Sequence, residues 1–237
     1  MAGLHHSARD RALSLSDVTV RFDDRILFEG ISLHLGPGWC ALVGANGSGK
    51  TSFARLLVGR LQPTSGRLQH HPAPFSVRLV DQELDAPPDA LGVSAARMRA
   101  RLGLDVASLQ RWSRLSAGER RRWQLCAALS AHPDVLVLDE PESHLDAPGR
   151  AMVLEALRSF DGIGVLITHR RDLAAELCAR TLVLEGGRLF DYAVGPGEDV
   201  EGGSALKEHR LARLCEERRR RDARDERDRA AAAVVAQ

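Results

Sequence analysis

Cysteine is sparse in this chain: Cys40, Cys126, Cys178 and Cys215 lie far apart, with no CxxC pair among them. That spacing supplies neither a disulfide framework nor a zinc-ligand set, and it makes a reducing compartment the simplest setting. Long apolar runs are missing as well. No stretch approaches the roughly 18 consecutive apolar residues needed to span a bilayer, and the opening segment MAGLHHSARDRALSL has no apolar core of the kind a signal peptide carries. An excess of either charge is also absent, since 33 Lys and Arg face 32 Asp and Glu. No bulk field drives the protein onto nucleic acid or membrane, so any basic surface must be local. The expectation is a soluble, cytoplasmic protein that can still dock on a membrane partner. Its 237 residues suffice to bury a sizeable core in one large or two small domains.

What is present is an alternation of short apolar runs with helical patterns, the mark of a sheet covered by helices, so the fold class is α/β. LSLSDVTVRF (13–22) alternates with a period near two, and ISLHL (31–35) does the same after a turn around Asp23, Asp24 and Gly30. These read as antiparallel strands of an edge sheet. WCALVG (39–44) is a continuous apolar run ending in glycine, as in a central strand buried on both faces. TSFARLLVGRL (51–61) then places Phe53, Leu56, Leu57 and Leu61 at helical spacing.

Between that strand and that helix lies GANGSGKT (44–51). Gly44, Gly47 and Gly49 let the backbone curl around an anion with its N–H groups inward, and the helix start adds its positive dipole end. Lys50 brings a mobile positive charge for the β and γ phosphates of a nucleotide, and the Thr51 hydroxyl can ligate a bridging magnesium ion. Further on, DVLVLDEPESHLD (134–146) reads as a buried strand, Val135 to Leu138, that delivers Asp139 and Glu140 at its carboxyl end. Ligands of open α/β sheets bind at that edge. Asp139 can hold magnesium through water, and Glu140 can polarise the water that attacks the γ phosphate.

LSAGERRRWQLCAALSAHP (115–133) precedes the acidic strand, and together these motifs make the chain resemble the ATP-binding cassette (ABC) ATPases over residues 13–192. LSAGE has the place of the family's signature, VDQE supplies Gln82 at the Q-loop, LITHR supplies His169 at the switch histidine, and HLD supplies Asp146 of the D-loop. The resemblance implies a P-loop fold with a mostly parallel central sheet, an antiparallel β edge subdomain and a small helical subdomain at about 84–130. It also implies Mg2+-dependent ATP hydrolysis by two cassettes facing head to tail. ATP would lie on Phe22, on Gly44, Ala45, Asn46, Gly47, Ser48, Gly49, Lys50, Thr51 and Ser52, and on Asp139, with Ser116 and Gly118 of the opposing cassette at its γ phosphate. Glu140, His169 and Gln82 would serve hydrolysis, and Thr51, Gln82 and Asp139 the metal. Ala117 departs from the usual signature glycine, and Glu119 from the common glutamine. By contrast, His5 with His6 and His70 with His71 have no partner ligands at metal spacing and read as surface residues.

The branch of the family is a separate question, because one engine drives several loads. Three features point to the soluble ABC-F branch, whose members act on ribosomes: the short segment from Glu83 to Arg114, with its loop-like DAPPDA; DEPESHLD, similar to the ABC-F form of that motif; and LVLEGGRLFDYAVG (182–195), similar to an ABC-F ending. The organisation expected is a flexible start at 1–12, an ATPase domain at 13–195 and a charged, linker-like helix at 196–237. That tail carries charges of both signs at helical spacing and reads first as a solvated helix without a partner, with contact between Arg218 to Arg221 and RNA phosphates as the alternative. ABC-F proteins carry two cassettes in one chain, whereas this sequence holds one. Three alternatives follow: it pairs with a second copy, it pairs with a separately encoded half, or it is a truncated product that binds ATP weakly and hydrolyses little. Two alternatives stand beside this reading: the ATP-binding subunit of a membrane transporter, and a regulatory module that binds ATP with little turnover.

Overall fold

The computed structural model describes residues 11–23, 25–80 and 92–192, apart from the side chains of Val93 and Ser94. The chain divides into two units, Met1–Pro196 and Gly197–Gln237, and every described residue belongs to the first. The expectations for Gln82, for His5 and His6 and for the charged tail lie outside the described residues.

A six-stranded sheet forms the centre, in the order β5 (Val77–Val80), β6 (Val135–Asp139), β7 (Ile163–Ile167), β3 (Gly38–Val43), β8 (Arg180–Glu185) and β9 (Arg188–Tyr192). The first five run parallel and β9 returns antiparallel to β8. Alternation explains the burial: Val135 and Val137 of β6 face one apolar layer, while Leu136 and Leu138 face the other. Both faces are covered, which is why these strands read as unbroken apolar runs. Each fully buried leucine contributes about 1.5–3 kcal/mol.

One layer is α1 (Lys50–Leu57) with the antiparallel sheet of β1 (Ala12–Phe22), β2 (Arg25–Leu35) and β4 (Ser65–His71), ordered β2-β1-β4. β2 starts six residues before the expected Ile31. Gly30 takes a positive φ of 63° and donates its N–H to Thr19 Oγ1 at 3.1 Å, so the strand bulges there and runs on where a turn was expected. The other layer contains α2 (Val93–Arg101), α3 (Ala117–Ser130), α4 (Ala147–Arg158) and α5 (Arg171–Leu177). Trp39 lies flat against Gly164 of β7, where a Cβ would come within 2.3 Å of the indole.

The segment between Glu83 and Arg114 is described from Gly92 onward, so the loop-like DAPPDA (85–90) lies outside the described residues. The described part holds α2 and a 3₁₀ stretch, Val106–Arg114. Ala95 and Leu102 are buried with Trp123 and Leu129 of α3, and Leu109 and Trp112 pack on the same cluster. Apolar residues spaced among arginines bring these short helices onto α3. His70, expected at the surface, is half-buried: its ring stacks on Phe75 at 4.7 Å, its Nε2 is buried, and burial lowers its pKa. Cys40, Cys126 and Cys178 are buried free thiols, and burial raises the pKa of Cys40 to about 12. Among the described residues no helix is long and apolar enough to cross a membrane.

Candidate active site

Parallel pairing puts the carboxyl ends of β3, β6 and β7 along one edge, and each end carries a predicted motif. The loop leaving β3 is shaped by its glycines. Gly47 and Gly49 have φ of 78° and 101°, and a Cβ on Gly44 would meet the Leu184 carbonyl at 2.4 Å. Gly49 caps α1 without a side-chain hydrogen bond, leaving the first N–H groups of the helix for an anion. Ala45, Asn46 and Gly47 are exposed, and Ser48 and Ser52 half-buried. Lys50 Nζ donates to the carbonyls of Gly44 and Ala45 at 2.9 and 3.1 Å, which arches its ammonium back over the loop.

Thr51 Oγ1 donates to Asp139 Oδ2 at 3.1 Å, joining the start of α1 to the end of β6. A hydroxyl and a carboxylate at this separation form the oxygen donor set that Mg2+ prefers, so the residues fit the ion. The buried guanidinium of Arg121 donates to the Asp139 carbonyl and, at 2.9 Å, to Gln124 Oε1, binding α3 to the same strand end.

Glu140 follows in a left-handed conformation, φ 47°, costly for a residue with a side chain. Its N–H donates to the Ile167 carbonyl at 2.8 Å, its Oε2 accepts from Ser143 Oγ at 3.1 Å, and its Oε1 lies 3.4 Å from His169 Nε2. Glu140 and His169, 29 positions apart in sequence, thus share one small space. His169 is exposed on the open side of this pair.

The signature segment starts α3. Ser116 is its N-cap in a reciprocal capping box: Ser116 N–H donates to Glu119 Oε2 at 2.9 Å, and Glu119 N–H donates to Ser116 Oγ at 3.2 Å. The Ser116 hydroxyl also donates to Glu119 Oε2 at 2.8 Å, so serving a phosphate requires it to rotate. These bonds from Ser116 hold the Glu119 pKa below its usual range. Ala117 is exposed, whereas Gly118 sits close under the loop after β6: a Cβ there would meet the His144 carbonyl at 2.7 Å. Asp146 caps α4, accepting the Gly149 N–H at 2.8 Å. Phe22, at the end of β1, is 53% exposed.

Sequence reasoning passed over Thr168, Arg121 and Glu142. Thr168 donates to Glu142 Oε1 and accepts the Arg170 N–H at 2.9 Å. A charged residue beside Glu140 in an otherwise familiar motif was the available signal for Glu142.

The family model for "ABC transporter" matches residues 28–143. The chain is 35% identical over 211 residues to the Nod factor export ATP-binding protein I of Paraburkholderia xenovorans (strain LB400), covering 76% of this chain and 69% of that protein. The protein of the same name from Burkholderia pseudomallei (strain 1710b) is 33% identical over 208 residues, covering 74% and 68%. Among solved structures, a bacterial Atm1-family ABC exporter with ATP bound superposes with a TM-score of 0.63 at 21% identity, covering 77% of this chain and 38% of that one. The ATP-binding subunit of an ABC transporter gives 0.59 at 19%, covering 76% and 88%. These relatives are transporter ATP-binding proteins, so the ABC-F branch and its ribosomal role are not supported, and the transporter alternative is favoured. With its P-loop, acidic strand end and signature helix on a mixed α/β sheet, the chain belongs to the ABC transporter ATP-binding family, whose cassettes bind and hydrolyse ATP.

Proposed function

We propose that this protein is the ATP-binding subunit of a membrane exporter and works as one of two cassettes paired head to tail. The observation that carries this reading is the convergence of Lys50, Thr51, Asp139, Glu140 and His169 on one edge of the parallel sheet. The similarity to export ATP-binding proteins supports the choice of branch.

In this reading the phosphates of ATP enter the loop 44–51, where they exchange with the carbonyls of Gly44 and Ala45 for the Lys50 ammonium. Thr51 and Asp139 would hold Mg2+, with Gln82 as a further ligand, and the ion would supply positive charge to offset that of the phosphates. Glu140 orients the attacking water and accepts its proton, while His169 bonds the γ phosphate. Phe22 supplies an exposed ring for the adenine. Ser116 and Gly118 of the second cassette close over the γ phosphate, so ATP joins the two surfaces and hydrolysis releases them.

The test is fractionation of cells expressing the tagged Glu140→Gln protein with its membrane partner, lysed in ATP and Mg2+ to hold the closed pair. Recovery in washed membranes is the expected result. Co-sedimentation with ribosomes would overturn the exporter reading and favour a role in translation.

A further inference from the structure

Glu142 lies two residues beyond Glu140, on the turn leaving β6. Placing a second carboxylate there is costly, because burial and the neighbouring Glu140 charge both resist its ionisation. One of its oxygens accepts the hydroxyl of Thr168, a residue only 7% exposed. The other, Oε2, is buried without a hydrogen-bond partner among the described residues. The positive charge of Arg121 offsets part of this cost. Among the described residues no group of three or more His, Cys, Asp or Glu is placed to hold a metal ion.

Its bonding has a direction. Thr168 directly precedes His169 and Arg170 directly follows it, and the Thr168 hydroxyl both donates to Glu142 and accepts the Arg170 N–H at 2.9 Å. The two bonds bracket His169 and fold the chain tightly around it. Next to them, Glu140 N–H is bonded to the Ile167 carbonyl at 2.8 Å, and Glu140 Oε1 stands 3.4 Å from His169 Nε2. The turn carrying Glu140 and the turn carrying His169 are therefore laced together by one main-chain bond and by the Glu142–Thr168 bond. The second of these uses neither side chain proposed for the reaction.

We propose that Glu142 is a positioning residue for ATP hydrolysis: acting through Thr168, its carboxylate holds the turn of His169 against Glu140, so that both side chains meet the γ phosphate in one geometry. The inference rests on the reading that Glu140 and His169 serve hydrolysis. Small displacements of a reacting group are expensive, on the order of 10²-fold for about 1 Å. A contact that only sets this geometry affects the chemical step more than ATP binding.

Steady-state ATPase assays on the intact chain test the proposal. Glu142→Ala and Thr168→Val should each lower kcat by about tenfold or more with KM for ATP within about twofold. Their double variant should be no slower than the worse single one, because both remove the same bond. Glu142→Gln and Thr168→Ser, which keep an acceptor and a hydroxyl, should recover most of the turnover. Hydrogen exchange reads the same bond without turnover: the Arg170 amide should exchange about tenfold faster in Glu142→Ala and at the native rate in Glu142→Gln. Native kcat in Glu142→Ala, losses that multiply in the double variant, or unchanged exchange at Arg170 would each overturn the proposal. His169→Ala separates the two levels of argument. If it abolishes turnover while Glu142→Ala does not, this inference fails alone; if His169→Ala turns over normally, the reading of the site fails and takes the inference with it.

Discussion

Thr51 and Asp139 meet hydroxyl to carboxylate at 3.1 Å, 88 positions apart in sequence, and this contact joins the start of α1 to the end of β6. It sets two oxygen donors side by side beneath the loop that would receive the phosphates. Thr51→Val keeps the shape of the side chain and removes the donor oxygen. The expected outcome is a large rise in the Mg2+ concentration that gives half-maximal ATPase activity, with the fold unchanged. Magnesium titration of wild type and variant, with circular dichroism as the check on folding, measures this directly. An identical magnesium dependence in both proteins would remove Thr51 from the metal site.

Glu140→Gln keeps the volume and the hydrogen bond from Ser143 but cannot take a proton. General-base assistance is worth about 10²–10⁴ in rate, so turnover should fall within that range while ATP still binds. Single-turnover kinetics beside equilibrium nucleotide binding separate the two effects. Equal losses of binding and turnover would argue that Glu140 serves the fold of the turn, where its φ of 47° is already strained.

Gly118 is needed for close approach. A Cβ there meets the His144 carbonyl at 2.7 Å, and that carbonyl belongs to a turn with little freedom, since His144 itself has a φ of 65°. Gly118→Ala should therefore destabilise the fold by about 1–3 kcal/mol through overpacking, read as a lower denaturation midpoint at unchanged slope. Ala117 is exposed, so Ala117→Gly should leave that midpoint nearly unchanged. The contrast between adjacent positions is the measurement that matters.

How far the sequence could be read depended on the distance between interacting residues. The loop 44–51 announces itself because its glycines, lysine and threonine are neighbours in the chain, and the β6 motif does so because four apolar residues lead straight to Asp139 and Glu140. The Glu142–Thr168 bond spans 26 positions and exists because β6 and β7 pair in parallel with Asp139 opposite Ile167. Composition gave no hint of that register. The early start of β2 was hidden by Gly30, which looks like a turn residue and instead makes a bulge bonded to Thr19. The helices of the segment after Glu83 were expected only through the family resemblance, because their few apolar residues form a visible face only against α3. The branch of the family was beyond any single motif, because similar cassettes serve different loads.

Glu119 should shape the acid limb of stability. Its hydrogen bonds from Ser116 hold its folded pKa below the ordinary value of 4.5. The sign follows: the stabilisation is present above 4.5, where the unfolded carboxyl is also ionised, and is lost as pH falls through the lower folded pKa. Glu119→Gln keeps an acceptor for Ser116 and removes the titration. Denaturant midpoints measured from pH 7 downward should therefore fall less steeply for the variant. Parallel curves would show that the capping box does not depend on the charge.

Glu142 predicts the opposite sign. Burial, followed by the charge of Glu140, raises its folded pKa above 4.5, against the smaller opposing effect of its bond from Thr168. Between 4.5 and that raised value the folded state binds more protons than the unfolded one, so stability decreases as pH rises through the window. Above it, the folded protein carries the full cost of an ionised, half-buried carboxylate. Glu142→Gln removes this cost and keeps an oxygen for Thr168. The variant should be more stable than wild type at pH 7, and its advantage should shrink as pH falls toward 4.5. Denaturation midpoints for both proteins across that range decide the matter. A wild type that gains stability as pH rises through the same window would show that the folded protein favours the ionised carboxylate.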